Sequence, residues 1–398
     1  MTAPGLLAQL AMLHELMRAT LRQVPAEQAM AQPLPGRPSM AWTFARAVYR
    51  EALWLRERLG QDSDLTERSR PLFAGPNDGG MSLDEQCRRL PPPEHLLNWA
   101  AEIQDEHLRR LATPGAMPDH PLLADARLPW LLHQENAKDY ERMLALRLAL
   151  VLADDAAWSG HRVATPLRAA EPALDYADVE QGHYRIGSRG EPFAYDNELP
   201  PQAVQLSAFR IARRSVSNAE YLAFIDDGGY ADAALWPEDA GAAARARGRP
   251  VHWRRDAAGH WFDVSLNGPA DLPPAEPVAG IDRHEARAYV TWAARRAPAL
   301  AGAVLAHEYQ WEVAARLGLL DATGRVWEWC ANDLHPYPDY EPFGATDFSA
   351  SGFDSNAAVL RGGCLHTQPA LRRASLRHWA AADDPWQVAG LRLVLPPP

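Results

Sequence analysis

The sequence predicts an α+β protein made of two unlike halves, a helical bundle followed by a mixed domain rich in coil. Three observations carry this expectation. Apolar residues recur at helical spacing in four separated stretches before residue 155, and in only two short ones after it. Short β-like runs such as HYRIGS, AVQLSAFRIARR, AVLRGG and GLRLVL are confined to the later part. At 398 residues the chain also exceeds the size at which one hydrophobic core keeps growing.

The four helical stretches are 6–21, 41–59, 93–111 and 128–152. Clusters of Pro and Gly between them, such as QPLPGRPS and FAGPNDGG, end helices and form loops, so the simplest packing over 1–155 is an antiparallel four-helix bundle. Residues 156–178 have no sustained period and read as a linker. From 179 to 398 the short strands alternate with helices at 217–226 and 282–295 and with long Trp-rich loops. Fourteen Trp suit an irregular core, because an indole buries a large area where regular structure is sparse.

A net charge of -11 without a run of five or six like charges argues against a nucleic-acid partner. No apolar stretch reaches the roughly eighteen residues of a membrane span. The start MTAPGLLAQLAMLHELM lacks the basic opening and small-residue cleavage site of a signal peptide, so the expected location is cytoplasmic. Cys87, Cys330 and Cys364 are too few and too scattered for a disulfide framework and read as ordinary thiols.

The second half carries an ordered series of motifs: GHYRIGS at 182–188, FRIARRSVSNAEYLAF at 209–224, QWEVAAR at 310–316, TGRVWEWC at 323–330, LRGGC at 360–364 and GLR at 390–392. In this order they resemble the formylglycine-generating-enzyme fold, a C-type-lectin-like fold. Trp327, Glu328 and Trp329, like Arg361, Gly362 and Gly363, read as framework, because Gly permits close backbone approach and paired Trp bury large area. The helical half in front, with AYDNELP, FIDDGGY and HPYPDYEPF, narrows the resemblance to the sulfoxide synthases of ergothioneine biosynthesis and their selenoneine-forming relatives. That resemblance implies a DinB-like four-helix bundle fused to a formylglycine-generating-enzyme-like domain, with a small-molecule ligand in the cleft between them. It further implies a ferrous ion on three histidines and oxidative C–S or C–Se bond formation on a histidine-derived betaine.

The chain departs from this pattern where the metal is concerned. WTFAR at 42–46 puts Arg46 at the first histidine position, and ENAKDYERML at 135–144 puts Glu135 and Asp139 at the other two. Residues four apart share a helix face. An Arg cannot ligate a metal, whereas its planar fork can bond two carboxylates that burial would otherwise penalise. The expectation is a salt bridge of Arg46 with Glu135 and Asp139 in the former metal site, and no cofactor. The alternative is Fe(II) or another metal held by His133, Glu135 and Asp139 with help from His14, against which stands Ala137 four residues after His133.

The substrate side differs as well. LRHWA at 376–380 stands where relatives contact γ-glutamylcysteine, which makes Arg377, His378 and Trp379 the substrate-binding candidates. Ala380 and Asp384 replace the Asp and Arg that would hold the dipeptide, and so disfavour it. For the proton-donating tyrosine of the family only Tyr337 and Tyr340 are available. Three functions follow from these residues: a diverged sulfoxide or selenoxide synthase, a metal-free pseudoenzyme that binds a small molecule or a protein partner, and a structural scaffold.

Overall fold

The structure, a computed structural model, describes residues 3–74, 80–113, 115–237, 240–343, 352–353 and 357–397. The chain divides into two compact units, Met1–Asp155 and Ala156–Pro398.

The first unit is helical: α1 (Ala3–Arg22), α2 (Ala26–Met30), α3 (Met40–Ala52), α4 (Asp64–Phe73), α5 (Leu83–Arg89), α6 (Pro93–Ala112) and α7 (Arg127–Ala153). α1 and α3 each pack on both α6 and α7, which gives a four-helix bundle. Leu6, Leu10, Leu13, Met17 and Leu21 form the buried stripe of α1 at steps of three and four. Ser39 caps α3 by accepting from the Trp42 amide at 3.1 Å. Past Ala52 that helix widens into a π turn, Leu53–Arg58, so the expected 41–59 element is one helix in two geometries.

The connections hold more helix than their Pro and Gly content suggests. α2, α4 and α5 occupy them, and each is too short to display a helical period. Capping marks α5 instead: Ser82 accepts from the Glu85 amide, Asp84 and Glu85 fill the first turn, and Arg88 and Arg89 fill the last. Residues 75–79 of the expected FAGPNDGG loop lie outside the described residues.

In the second unit the elements run β1 (Tyr176–Val179), β2 (Gly182–Ile186), β3 (Gln202–Leu206), β4 (Phe209–Ala212), α8 (Asn218–Asp226), α9 (Ala242–Arg247), β5 (Trp253–Arg255), β6 (Trp261–Ser265) and β7 (Gly268–Asp271). They continue with α10 (Arg283–Arg296), β8 (Val304–Leu305), α11 (Glu308–Arg316), β9 (Trp327–Asp333), β10 (Ala358–Arg361), β11 (His378–Ala380), β12 (Ala389–Gly390) and β13 (Leu393–Leu395). Two four-stranded sheets, ordered β1-β4-β13-β8 and β11-β10-β9-β12, are joined by the pair β2-β3 and the meander β5-β6-β7. Among the described residues every strand pairing is antiparallel except β12 on β9. The 156–178 stretch belongs to this unit rather than hanging free: Ala170 donates to the Ala219 carbonyl at 2.9 Å, and Tyr176 onward pairs with β4. No described helix is long and apolar enough to cross a membrane.

Short strands and long loops are tied together by buried Arg–Glu pairs. Glu328 in β9 takes two bonds of 2.7 Å from Arg392, one of 2.7 Å from the Trp311 indole and one of 2.9 Å from Ser215. Arg361 bonds Glu312 and donates to the carbonyls of Ala374, Ser375 and Leu376. Gly362 beside it sits at φ +98°, where a Cβ would lie 3.1 Å from the Trp311 ring. The Trp-Glu-Trp and Arg-Gly-Gly segments are thus structural. All three cysteines are free and buried.

Two stability predictions follow for this unit. Arg392→Met strands the Glu328 carboxylate and is expected to lower unfolding free energy by about 3–5 kcal/mol in guanidinium denaturation. A loss under about 1 kcal/mol would mean that the pair does not organise the loops. His252 has its pKa pushed down to about 3 by burial and by the neighbouring His366, Arg254 and Arg247. The unfolded chain, with an ordinary histidine near 6.5, therefore takes up the proton first, so this stability is whole above about pH 6.5 and is lost as pH falls toward 3. His252→Leu should flatten the pH dependence of urea midpoints between pH 6.5 and 4, and an unchanged slope would refute the assignment.

Candidate functional site

Every residue of α7 from Leu128 to Asp139 is buried, and this run includes His133, Gln134, Glu135, Asn136, Lys138 and Asp139. Polar groups in such a place need partners, and charged ones need opposite charges. Glu135 and Asp139 lie one turn apart, and α3, which packs against α7, brings them a cation.

That cation is Arg50. Its Nη1 donates to Glu135 Oε2 at 3.2 Å and its Nη2 to Asp139 Oδ2. The expected partner, Arg46, stands one turn earlier on the same face of α3, is partly exposed, and lies against the Trp42 ring at 5.6 Å. The difference is one of depth. Arg50 is 6 % exposed, and the position that is sealed from water is the one whose charge has to be matched.

The remaining carboxylate oxygens are also occupied. Lys138 Nζ bonds Glu135 Oε1 at 3.0 Å, and Arg142 Nη1 bonds Asp139 Oδ1 at 2.7 Å. Burial pushes the Glu135 pKa up, but Lys138, Arg50 and Arg142 outweigh it and hold the group down at about 2. Asp139 is lowered in the same way, with burial opposed by Arg50, Arg142 and Arg46. Both groups stay ionised and fully engaged.

A second buried cluster surrounds the neighbouring residue, Glu51. His14 Nε2 lies 2.7 Å from Glu51 Oε1, His107 Nδ1 lies 3.2 Å from Oε2, and Asn136 Nδ2 donates to Oε1. Burial raises the Glu51 pKa, and the two imidazoles more than offset it, holding the carboxylate well below its usual range. His133 stands edge-on to Trp130 with ring centroids 6.2 Å apart, and burial followed by the charge of His14 pushes its pKa down to about 4.

In the second unit the sequence-selected residues fall into two kinds. Arg377 is structural: it bonds Glu308 twice at 2.8 Å, donates to the Asn197 and His335 carbonyls, and lies 4.2 Å from the Tyr337 ring centroid. Burial sends the Tyr337 pKa far up, and the Tyr340 hydroxyl donates to Asp196 at 2.9 Å. His378 lies tilted against Trp327 with ring centroids 4.6 Å apart and pairs through Nε2 with Gln387 Oε1 at 3.0 Å, while Gln387 donates to Asp384 at 2.7 Å. Trp379 packs partly buried against Cys330, Leu334 and Val359. Residues 344–348 of the loop that follows Tyr340 lie outside the described residues.

A helical bundle followed in sequence by a coil-rich mixed domain framed by buried Arg–Glu pairs is the architecture of a fusion protein with a formylglycine-generating-enzyme-like domain. The chain belongs to the sulfatase-modifying factor enzyme 1-like domain family, which it matches over residues 165–319 and 315–396. It is 28 % identical to a hercynine oxygenase of Mycobacterium tuberculosis over 438 residues, covering 94 % of this chain and 95 % of the relative. A hercynine oxygenase of Mycolicibacterium thermoresistibile is 33 % identical over 254 residues, 51 % of this chain and 54 % of that one. A formylglycine-generating enzyme of Streptomyces coelicolor is 30 % identical over 203 residues, 46 % and 59 % of the two chains.

A ferrous ion does not fit the residues at 46, 135 and 139. One is a permanent cation, and both carboxylates have each oxygen committed to Arg50, Lys138 or Arg142. The alternative set is not assembled either, since His133 neighbours His14 and Trp130 while Glu135 and Asp139 face Arg50. Among the described residues no group of three or more His, Cys, Asp or Glu is arranged to hold a metal ion.

Sequence reasoning missed Arg50, Lys138 and Arg142 as members of the lattice and Glu51 with His107 as the second cluster. A usable signal was present, because Arg50 is four residues after Arg46, and Lys138 and Arg142 are each three after a buried acid. The structure makes a direct comparison available. Arg50→Met should cost about 3–5 kcal/mol in equilibrium denaturation of the helical unit, whereas Arg46→Met should cost under about 1 kcal/mol. The reverse order would place the buried fork on Arg46.

Proposed function

We propose that this chain is a diverged member of the oxidative, histidine-betaine-modifying family to which hercynine oxygenases belong, and that its helical unit binds a small molecule without a ferrous ion. Family membership rests on the near full-length likeness to a hercynine oxygenase and on the sulfatase-modifying-factor match. The observation that carries the metal-free part is the Arg50 fork across Glu135 and Asp139. A divalent cation entering there has to strip Arg50, Lys138 and Arg142 from the carboxylates and leave those charges beside its own. No described side chain supplies oxygen activation in its place, so binding is the chemistry the site supports.

A second reading, retained oxidative C–S or C–Se bond formation, is favoured by the 94 % coverage of the chain in the hercynine oxygenase comparison. One measurement separates the two. Purified protein is incubated anaerobically with Fe(II), desalted, and its iron counted. The expected result is well below one equivalent, and a stoichiometric ion that survives desalting would overturn the metal-free reading. The positive control is a variant with Arg46→His, Glu135→His and Asp139→His, plus Arg50→Gln to vacate the position, which is expected to gain iron.

A further inference from the structure

Arg46 is left over from the arrangement just described. Four cationic side chains, Arg46, Arg50, Lys138 and Arg142, meet two carboxylates, and every oxygen of those carboxylates is bonded to one of the other three. Among the described residues the Arg46 guanidinium makes no hydrogen bond and no salt bridge; it acts on Asp139 and Glu135 only at longer range and lies 5.6 Å from the Trp42 ring centroid. A guanidinium has five N–H donors, and withdrawing them partly from water without an acceptor is unfavourable.

The surroundings of this donor fork are fixed rather than loose. Trp42 lies one turn before Arg46 on the same face of α3 and is partly exposed like it. Its indole is pinned by a 2.9 Å bond to the Leu72 carbonyl and by Phe73, 6.0 Å away between centroids. Phe73 in turn stacks on Tyr49 at 5.0 Å. A held aromatic wall therefore stands beside a guanidinium whose nearby acids, Glu135 and Asp139, are hydrogen-bonded to other cations.

We propose that Arg46 and Trp42 form an anion site for a carboxylate-bearing small molecule, the guanidinium gripping the carboxylate through its two parallel N–H donors and the indole covering the carbon part. Arg matches the planar carboxylate bidentately, and the apolar wall favours an organic acid over a bare inorganic oxyanion. The surplus cation is thereby neutralised by the ligand. This inference rests on the metal-free reading, because a bound metal would draw Glu135 and Asp139 away from Arg50 and leave the three released cations crowding Arg46.

The test is calorimetric titration of the full chain with benzoate, with uncharged benzamide and inorganic phosphate as comparison ligands. Benzoate is expected to bind one to one, with benzamide and phosphate each at least about tenfold weaker. Arg46→Gln should weaken benzoate by at least about tenfold, and Arg46→Lys should recover part of the loss because a point charge lacks the fork. Benzoate heats that do not saturate, equal binding by wild type and Arg46→Gln, or phosphate binding as tight as benzoate would each overturn the proposal. The benzamide arm uses unaltered protein and so holds even if a variant misfolds. Iron is counted in the same preparation: iron-free protein that ignores benzoate refutes the anion site alone, whereas iron-loaded protein refutes the metal-free reading and this inference with it.

Discussion

An ionised group sealed inside a helical bundle has to be matched by an opposite charge within bonding distance, and α7 places Glu135, Lys138 and Asp139 there together. The rest of the first unit is arranged around that demand. Adjacent residues on a helix point about 100° apart, so α3 serves two sectors at once, Arg50 toward the acids of α7 and Glu51 toward His14, His107 and Asn136. The helix that supplies a buried cation therefore supplies a buried anion at the next residue, and each has its own partners. Shifting α3 by one residue would leave both clusters unpaired.

The second unit answers the same demand with different elements. Its strands are two to seven residues long, too short to hold the loops by ladder bonds alone. Arg361, Arg377 and Arg392 each pair with a buried glutamate and donate further to backbone carbonyls of other segments. The acid fixes the guanidinium, and the guanidinium fixes the loop. This explains why the motifs that carry the family likeness are framework: they hold the irregular backbone in shape and leave exposed loop residues free to change.

The α+β class and the four long helices were legible because a helix of about sixteen residues or more repeats its apolar stripe several times. α2, α5 and α11 were not, since five to nine residues complete too few turns for a period to register and their capping groups look like ordinary polar residues. At the site, Glu135 and Asp139 were legible as a facing pair, because their spacing alone puts them on one side of α7. Which arginine meets them was not. Arg46 and Arg50 have the same phase on α3, and only the depth at which α3 packs decides between them. Glu51 was hidden for a related reason: its partners come from three other helices, and nothing local in the sequence joins residues 14, 51, 107 and 136.

The way Arg50 is shared between two acids limits which single substitutions the helical unit tolerates. Each acid is also tied to a second cation on its own helix, so the five groups form one linked set. Exchanging Arg50, Glu135 or Asp139 for histidine leaves an unmatched charge in a sealed core, and the penalty arrives before any metal affinity does. Installing histidines at these positions one at a time would have to pass through several destabilised intermediates in succession. The ion-pair lattice thus acts as a ratchet against single changes at its buried members, while the partly exposed Arg46 makes no hydrogen bond or salt bridge to it.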